Sequence, residues 1–398
     1  MGEPLHEDIS NYTVDDQLGR TELVYITVKG FNQTAIVAKI IDRKGNKSLG
    51  LTSVTNTSQR RYSSGKIWFT DLDLTDFTDD AMASGDTIDS VEPYHVAFSG
   101  DLTAFTAGDR LGIASPDGQR SLANDWMAYL HTADFSADRE RVLVVSTGFD
   151  TIQELDLRSG SGEPVWEWNG WDHGITYSET AGRHYVRNPA DAERIRAEDP
   201  TVEVVVVENP RDWPREGLAT QETPLNLNGV FYGPGEEHIL ATGYHRSDLF
   251  VIDRNGGFTQ HDLGLRHPHS FRAVSSESLA DGGREALGYG YEYMVSNTGA
   301  GQLLLLDADL SVTAIVDVGS LPADAEKQAG FGEWLQTVSF LDEARGLVAA
   351  VDALRDGVHL VDLVGRRRRF IPNPPNWTIQ TVAAITPAHV RNMLAVAD

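Results

Sequence analysis

Six segments of this chain are YHVAFSGD, YLHTADFSAD, LNLNGVFYGPGEE, HPHSFRAV, WLQTVSFLDEA and TIQTVAAITPA. Each carries a His, Asn or Gln a few residues ahead of a Phe or Ile, at His95, His131, Asn228, His269, Gln336 and Gln380. Neutral imidazole is a base near physiological pH and a common metal ligand, so three or four histidines brought together would hold a divalent ion. The set expected for the metal is His95, His131 and His269, with His173 or His267 as a fourth, and Fe, Zn, Mn, Cu and Ca left open. In HPHSF the two histidines alternate, so His267 and His269 would share one side of an extended strand. Asn228, Gln336 and Gln380 would line the cofactor, with Glu333 and Asp172, or would orient the imidazoles by hydrogen bonds. The same residues also suit a plainer role, satisfying strand ends and trapped channel water.

Such residues meet only if the elements carrying them converge, and a repeat can make them do so. Six apolar strands end in an acidic residue followed by turn residues, at Asp42, Asp117, Asp156, Asp253, Asp307 and Asp362, and most follow a second apolar strand. Hairpins repeated at this length are the sequence signature of β-propeller blades. The chain is therefore read as all-β, a six-bladed β-propeller spanning residues 1–398, with seven blades as the alternative. Gln380 lies too near the end of the chain for a whole blade, so its blade would borrow LVYITV and AIVAKIID from the N-terminus, leaving no open sheet edge. LVYITV and KIWFTDLD together are the material for a seventh.

Residues 174–222 depart from the repeat. NPADAERIRAEDP has Asn before Pro and an Ala/Glu/Arg-rich centre, the pattern of a short capped helix. An insertion this long is commonly functional, and it is expected to act as a lid over the end carrying the inner-strand histidines.

Composition narrows the functions. Of 398 residues, 59 are Asp or Glu and 33 are Lys or Arg, a formal charge of -26. Nucleic acid and anionic membranes need a positive surface, so neither is an expected partner. No apolar run approaches about 18 residues, and MGEPLHEDISNYTVDDQ is acidic and polar, so the expected location is the cytoplasm unless a signal has been removed. With no cysteine, disulfides and thiolate chemistry are excluded. The run Arg366 to Arg369 reads as a solvated outer strand. GYGY at Gly288 to Tyr291 lacks the strand–helix setting of a nucleotide loop.

NDWMAYLHTADFSADRERVLVVSTGFDTIQELDLRSGSGEPVWEWNGWDHG resembles a blade of the arylsulfotransferase-like six-bladed propellers, on Trp126, His131, Asp156 and Trp166. The resemblance implies the fold and, as an activity, sulfuryl transfer through a histidine, with His131 and His269 as catalytic residues and Arg246 or Arg266 neutralising the anion. Three classes follow: a metal-dependent enzyme on a small organic molecule, a histidine-nucleophile group transfer, and a non-catalytic binding propeller.

Overall fold

In this computed structural model the described residues are 3–31, 64–72, 77–213, 218, 220–274, 291–322 and 333–395. Asp42 with AIVAKIID, and nearly all of GYGY, lie outside them. The chain forms two compact units. The first comprises 1–52, 63–94 and 262–398, and the second 53–62 and 95–261.

The first unit begins with β1 (Leu5–Asp8), β2 (Thr13–Val14), β3 (Leu23–Val28), β4 (Ser64–Asp71) and β5 (Asp86–Val91). The boundary falls inside β6 (Pro93–Ser99), after Tyr94. The second unit continues through β7 (Leu102–Ala107), β8 (Arg110–Ser115), β9 (Gly118–Leu122), β10 (Leu130–Phe135), β11 (Arg141–Ser146), β12 (Thr151–Asp156) and β13 (Pro164–Asn169). An insertion with β14 (Tyr177–Ser178), β15 (Arg183–Val186) and β16 (Glu203–Val206) precedes β17 (Leu227–Tyr232), β18 (His238–Gly243), β19 (Asp248–Asp253) and β20 (Phe258–His261). The first unit resumes with β21 (His269–Ala273), β22 (Tyr293–Asn297), β23 (Gln302–Leu306), β24 (Val312–Asp317) and β25 (Leu335–Asp342). It ends with β26 (Leu347–Asp352), β27 (Gly357–Asp362), β28 (Arg367–Pro372) and β29 (Ile379–Ala384).

In the second unit β6–β9, β10–β13 and β17–β20 are each a sheet of four sequential strands. In the first unit β21–β24 and β25–β28 do the same, each extended at its outer edge by a parallel N-terminal strand, β1 on β24 and β2 on β28. A further sheet has the order β29-β3-β4-β5. Four-stranded antiparallel meanders of this kind are β-propeller blades. The fold is a β-propeller. KIWFTDLD, read as material for a seventh blade, supplies β4 of the sheet in which β3 from one end of the chain pairs with β29 from the other.

The strands form because β-branched and aliphatic residues fill both faces of the second and third strands of each meander. Val142, Leu143, Val144 and Val145 of β11 are fully buried, as are Val358 and Leu360 of β27. Strands this continuously apolar are covered on both faces. Trp68, Trp377 and Phe77 meet edge to face in the first unit, with Trp68 and Trp377 centroids 6.0 Å apart. At four of the strand-end aspartates the chain turns on the carboxylate: Asp156 accepts from Arg158 N, Asp253 from Asn255 N, Asp307 from Asp309 N and Asp362 from Gly365 N. These aspartates are turn formers, as their positions suggest. The arginine run differs from its expected role. β28 is an outer strand, but Arg369 is only 5% exposed and donates to the Leu18 and Leu72 carbonyls.

The inner strands share a defect. Their pairing slips by a bulge between Leu130 and Ala133, Leu227 and Gly229, His269 and Phe271, Leu335 and Thr337, and Ile379 and Thr381. Bulges re-aim side chains, and these occur at five of the six polar positions, His131, Asn228, His269, Gln336 and Gln380. The hydroxyl that follows the polar residue then fastens one inner strand to the next: Thr132 donates to Asn228 O (3.2 Å), Ser270 to Val338 O (3.1 Å) and Thr337 to Gln380 O (2.5 Å). Thr132 Oγ1 also accepts from Val230 N (2.9 Å). Thr132→Val should therefore lower stability by about 1–3 kcal/mol, because it strands a buried amide and a buried carbonyl. Denaturant unfolding with an unchanged slope would measure it, and an unaltered midpoint would contradict the pin.

Candidate functional site

In the second unit His95, His131 and Asn228 lie on the inner strands β6, β10 and β17, all buried. His131 Nδ1 lies 2.9 Å from the Tyr129 carbonyl and 2.7 Å from Thr147 Oγ1. A carbonyl only accepts, and the Thr147 hydroxyl hydrogen is committed to the Leu227 carbonyl. Both neighbours therefore require a proton on Nδ1, which leaves the lone pair on Nε2. His95 has the opposite tautomer. Its Nδ1 accepts from Ala133 N (3.4 Å), so the proton is on Nε2. Thr106, which accepts from His95 N (3.0 Å) and donates to His131 O (3.4 Å), joins the two strands. Asn228 is 2% exposed, and neither its Oδ1 nor its Nδ2 has a partner among the described residues. Leaving both halves of a buried amide unsatisfied costs about 1–3 kcal/mol per group.

The first unit repeats the device. Thr298 Oγ1 donates to the Leu335 carbonyl (2.7 Å) and faces His269 Nδ1 at 3.0 Å, so His269 also carries its proton on Nδ1. Both threonines sit in a short 3-10 turn after the second strand of the meander, in Ser146–Thr147–Gly148 and Asn297–Thr298–Gly299. Sequence reading missed these residues, although VVSTGFD and VSNTGAG display the recurrence.

The other expected site residues lie elsewhere. His173 stacks on Trp168 of β13, with centroids 5.2 Å apart and planes 10° apart, and meets Phe258 of β20 edge-on. Aromatic stacking thus holds it with outer strands, not inner ones. His267 is exposed and has φ 55°, outside the extended region, so the alternation argument for HPHSF does not hold. Arg266 and Arg246 are exposed, and Arg266 is held by its backbone, with N donating to Asn297 Oδ1 and O accepting from Gly299 N. Glu333 pairs with Arg355 at 2.9 Å and Asp172 with Arg187 at 3.0 Å, which neutralises both carboxylates. Gln336 and Gln380 bond to each other. Among the described residues no three His, Asp or Glu side chains are grouped to hold a metal ion. His95 shows why the expected triad is a poor ligand set: neither of its nitrogens offers a lone pair, one accepting a backbone N–H and the other bearing the proton.

The described part of the insertion packs in a small core that it shares with the neighbouring meander. Asn188 caps α1 (Pro189–Glu198) through Ala190 N, as the sequence suggests. Trp171, Tyr185, Val207 and Leu218 pack on Ala128 and Phe149, against the turn that carries Thr147, and Leu218 N donates to Gly148 O (3.0 Å). Arg187 lies over the Trp126 ring at 4.1 Å. The segment leading back into β17 is held by Asp150, which is fully buried and accepts from Leu225 N (2.9 Å), Leu227 N (3.3 Å) and Trp171 Nε1 (3.3 Å). At the other end of β10 and β17, Asp134, Asp138, Tyr232 and Glu236 line an open cleft of about 450 Å³.

No family model matches this chain, and no curated protein matches it. Solved structures do. A nidogen/laminin complex shares 8% identity at a TM-score of 0.48, over 91% of this chain and 98% of that one. A protein of unknown function from Bacteroides caccae shares 12% at 0.47, over 92% and 99%. Virginiamycin B lyase from Staphylococcus aureus shares 8% at 0.42, over 80% and 86%. These likenesses carry neither an activity nor the arylsulfotransferase-like kinship. No described helix is long and apolar enough to cross a membrane.

Burial pushes the Asp150 carboxyl up to about 6, against the opposing hydrogen bonds from Leu225, Leu227 and Trp171. Its folded value thus exceeds the unfolded one near 3.8, and folding takes up a proton between the two. The resulting stabilisation is complete below about pH 4 and lost as pH rises through about 6. Relative to Asp150→Asn, the native protein should lose on the order of 3 kcal/mol between pH 4 and 7. Parallel denaturation of the two proteins across that range measures it, and a constant difference would contradict the assignment.

Proposed function

We propose that the second unit is an acid–base catalyst for a small polar molecule, with His131 Nε2 as the base and the His95 Nε2–H as the donor. Asn228 would orient the substrate, since its buried amide has a donor and an acceptor to offer. The observation that carries this reading is the Thr147 hydroxyl, whose commitment to Leu227 O fixes the His131 tautomer. A base with its lone pair on one strand and a neutral imidazole N–H on the next suit a reaction in which His131 Nε2 takes a proton from one atom and returns it to another while the His95 N–H hydrogen-bonds to the negative charge that develops between, such as an isomerisation. The insertion, packed against the Thr147 turn, would exclude water from the site. This reading needs no metal.

The test is depletion of compounds from a small-molecule extract, followed by mass spectrometry. Native protein should convert a component that His131→Ala leaves intact by a factor of about 10² or more, the usual weight of a general base. Asn228→Ala should raise KM more than it lowers kcat, and EDTA treatment should change neither. Conversion undiminished in His131→Ala would overturn the assignment, and a stoichiometric metal lost together with activity would favour the metal-dependent class.

A further inference from the structure

The first unit holds a chain of hydrogen bonds with a fixed direction. Trp334 Nε1 donates to Gln336 Oε1 (2.6 Å), and Gln336 Nε2 donates to Gln380 Oε1 (3.0 Å). An amide side chain ordinarily turns over freely to suit its partner, because its oxygen and nitrogen occupy nearly the same space. Here neither amide can. The indole N–H is a donor only, so Gln336 must present oxygen to it and nitrogen to Gln380. Gln380 must then accept through its oxygen and direct its NH2 away from the chain.

Gln380 is 95% buried, taking its 5% exposure, and its Nε2 makes no hydrogen bond among the described residues. Its backbone is held as firmly as its side chain. Thr337 Oγ1 donates to Gln380 O, and the bulge between Ile379 and Thr381 sets the direction of the side chain. Each bond in such a chain polarises the next, which strengthens the final donor by roughly 10–30%. In the second unit Asn228 has no side-chain partner among the described residues to fix its direction, so the two polar positions differ in what they select.

We infer that Gln380 is a binding subsite for a carbonyl-type oxygen, from a carboxylate or a neutral amide, and that Trp334 acts through Gln336 to exclude ligands that only donate. The inference stands independently of the role of His131.

The test follows the side-chain amide resonances of Gln380 in 15N-edited spectra of the intact protein, assigned by their absence in Gln380→Leu. Three probes are titrated: N,N-dimethylacetamide and acetate, which only accept, and methylammonium, which only donates. At least one acceptor should shift the Gln380 signals saturably, and the one with the lower midpoint identifies the neutral or the anionic source. The Trp334 indole signal should move with the same midpoint. Gln380→Leu should weaken that binding by about fivefold or more, the loss of one hydrogen bond, read from the indole signal. In Trp334→Phe, methylammonium should begin to bind as the chain becomes free to reverse. Absence of any saturable shift with both acceptors, an unchanged midpoint in Gln380→Leu, or equal binding of methylammonium by the native protein would overturn the inference.

Discussion

A threonine hydroxyl has one hydrogen to give, and where it gives it decides what its neighbour must do. Thr147 gives its hydrogen to the Leu227 carbonyl, so toward His131 it can only accept. Thr298 does the same with Leu335 and His269. One bond joins the turn after a second strand to the inner strand of the following meander and sets the protonation pattern of an imidazole. Loss of that hydroxyl would therefore affect the chemistry of the site as well as the cohesion of the blades. The same economy appears at Thr132, Ser270 and Thr337, whose hydroxyls cross from one inner strand to the next.

These bonds depend on the bulges. In an unbroken antiparallel ladder, successive side chains alternate between faces, and a polar residue and its neighbouring hydroxyl point apart. The extra residue at each inner-strand bulge breaks that alternation locally. The polar residue can then be presented near the strand end while the following hydroxyl reaches sideways. Behind this layer the strands are apolar on both faces, which leaves little room for alternative registers. Asp150 adds a different constraint: three N–H donors converge on one fully buried carboxylate, which returns the chain from the insertion to β17 beside Asn228.

Much of this was legible in the sequence. Strand-end aspartates and the six-fold His, Asn and Gln positions mark the meanders, because turn chemistry and alternation are local properties. The capped helix Pro189–Glu198 was readable for the same reason. What escaped depends on distance. Whether His131 faces a hydroxyl or a carboxylate is decided by Thr147 in another strand's turn, and the STG and NTG recurrence looks like ordinary turn sequence until the bonds are seen. His173 was expected as a fourth metal ligand, yet Trp168 holds it by stacking. His267 failed because alternation was assumed where the backbone is left-handed. The direction of the Trp334, Gln336 and Gln380 chain is not contained in any one segment.

The most direct test of the account is the 15N spectrum of the His131 imidazole at a pH where it is neutral. The account predicts a protonated, pyrrole-type Nδ1 and an unprotonated, pyridine-type Nε2, with His95 showing the reverse and Thr147→Val allowing His131 to mix both forms. A His131 ring protonated on Nε2 in the native protein, or one unaffected by Thr147→Val, would contradict it.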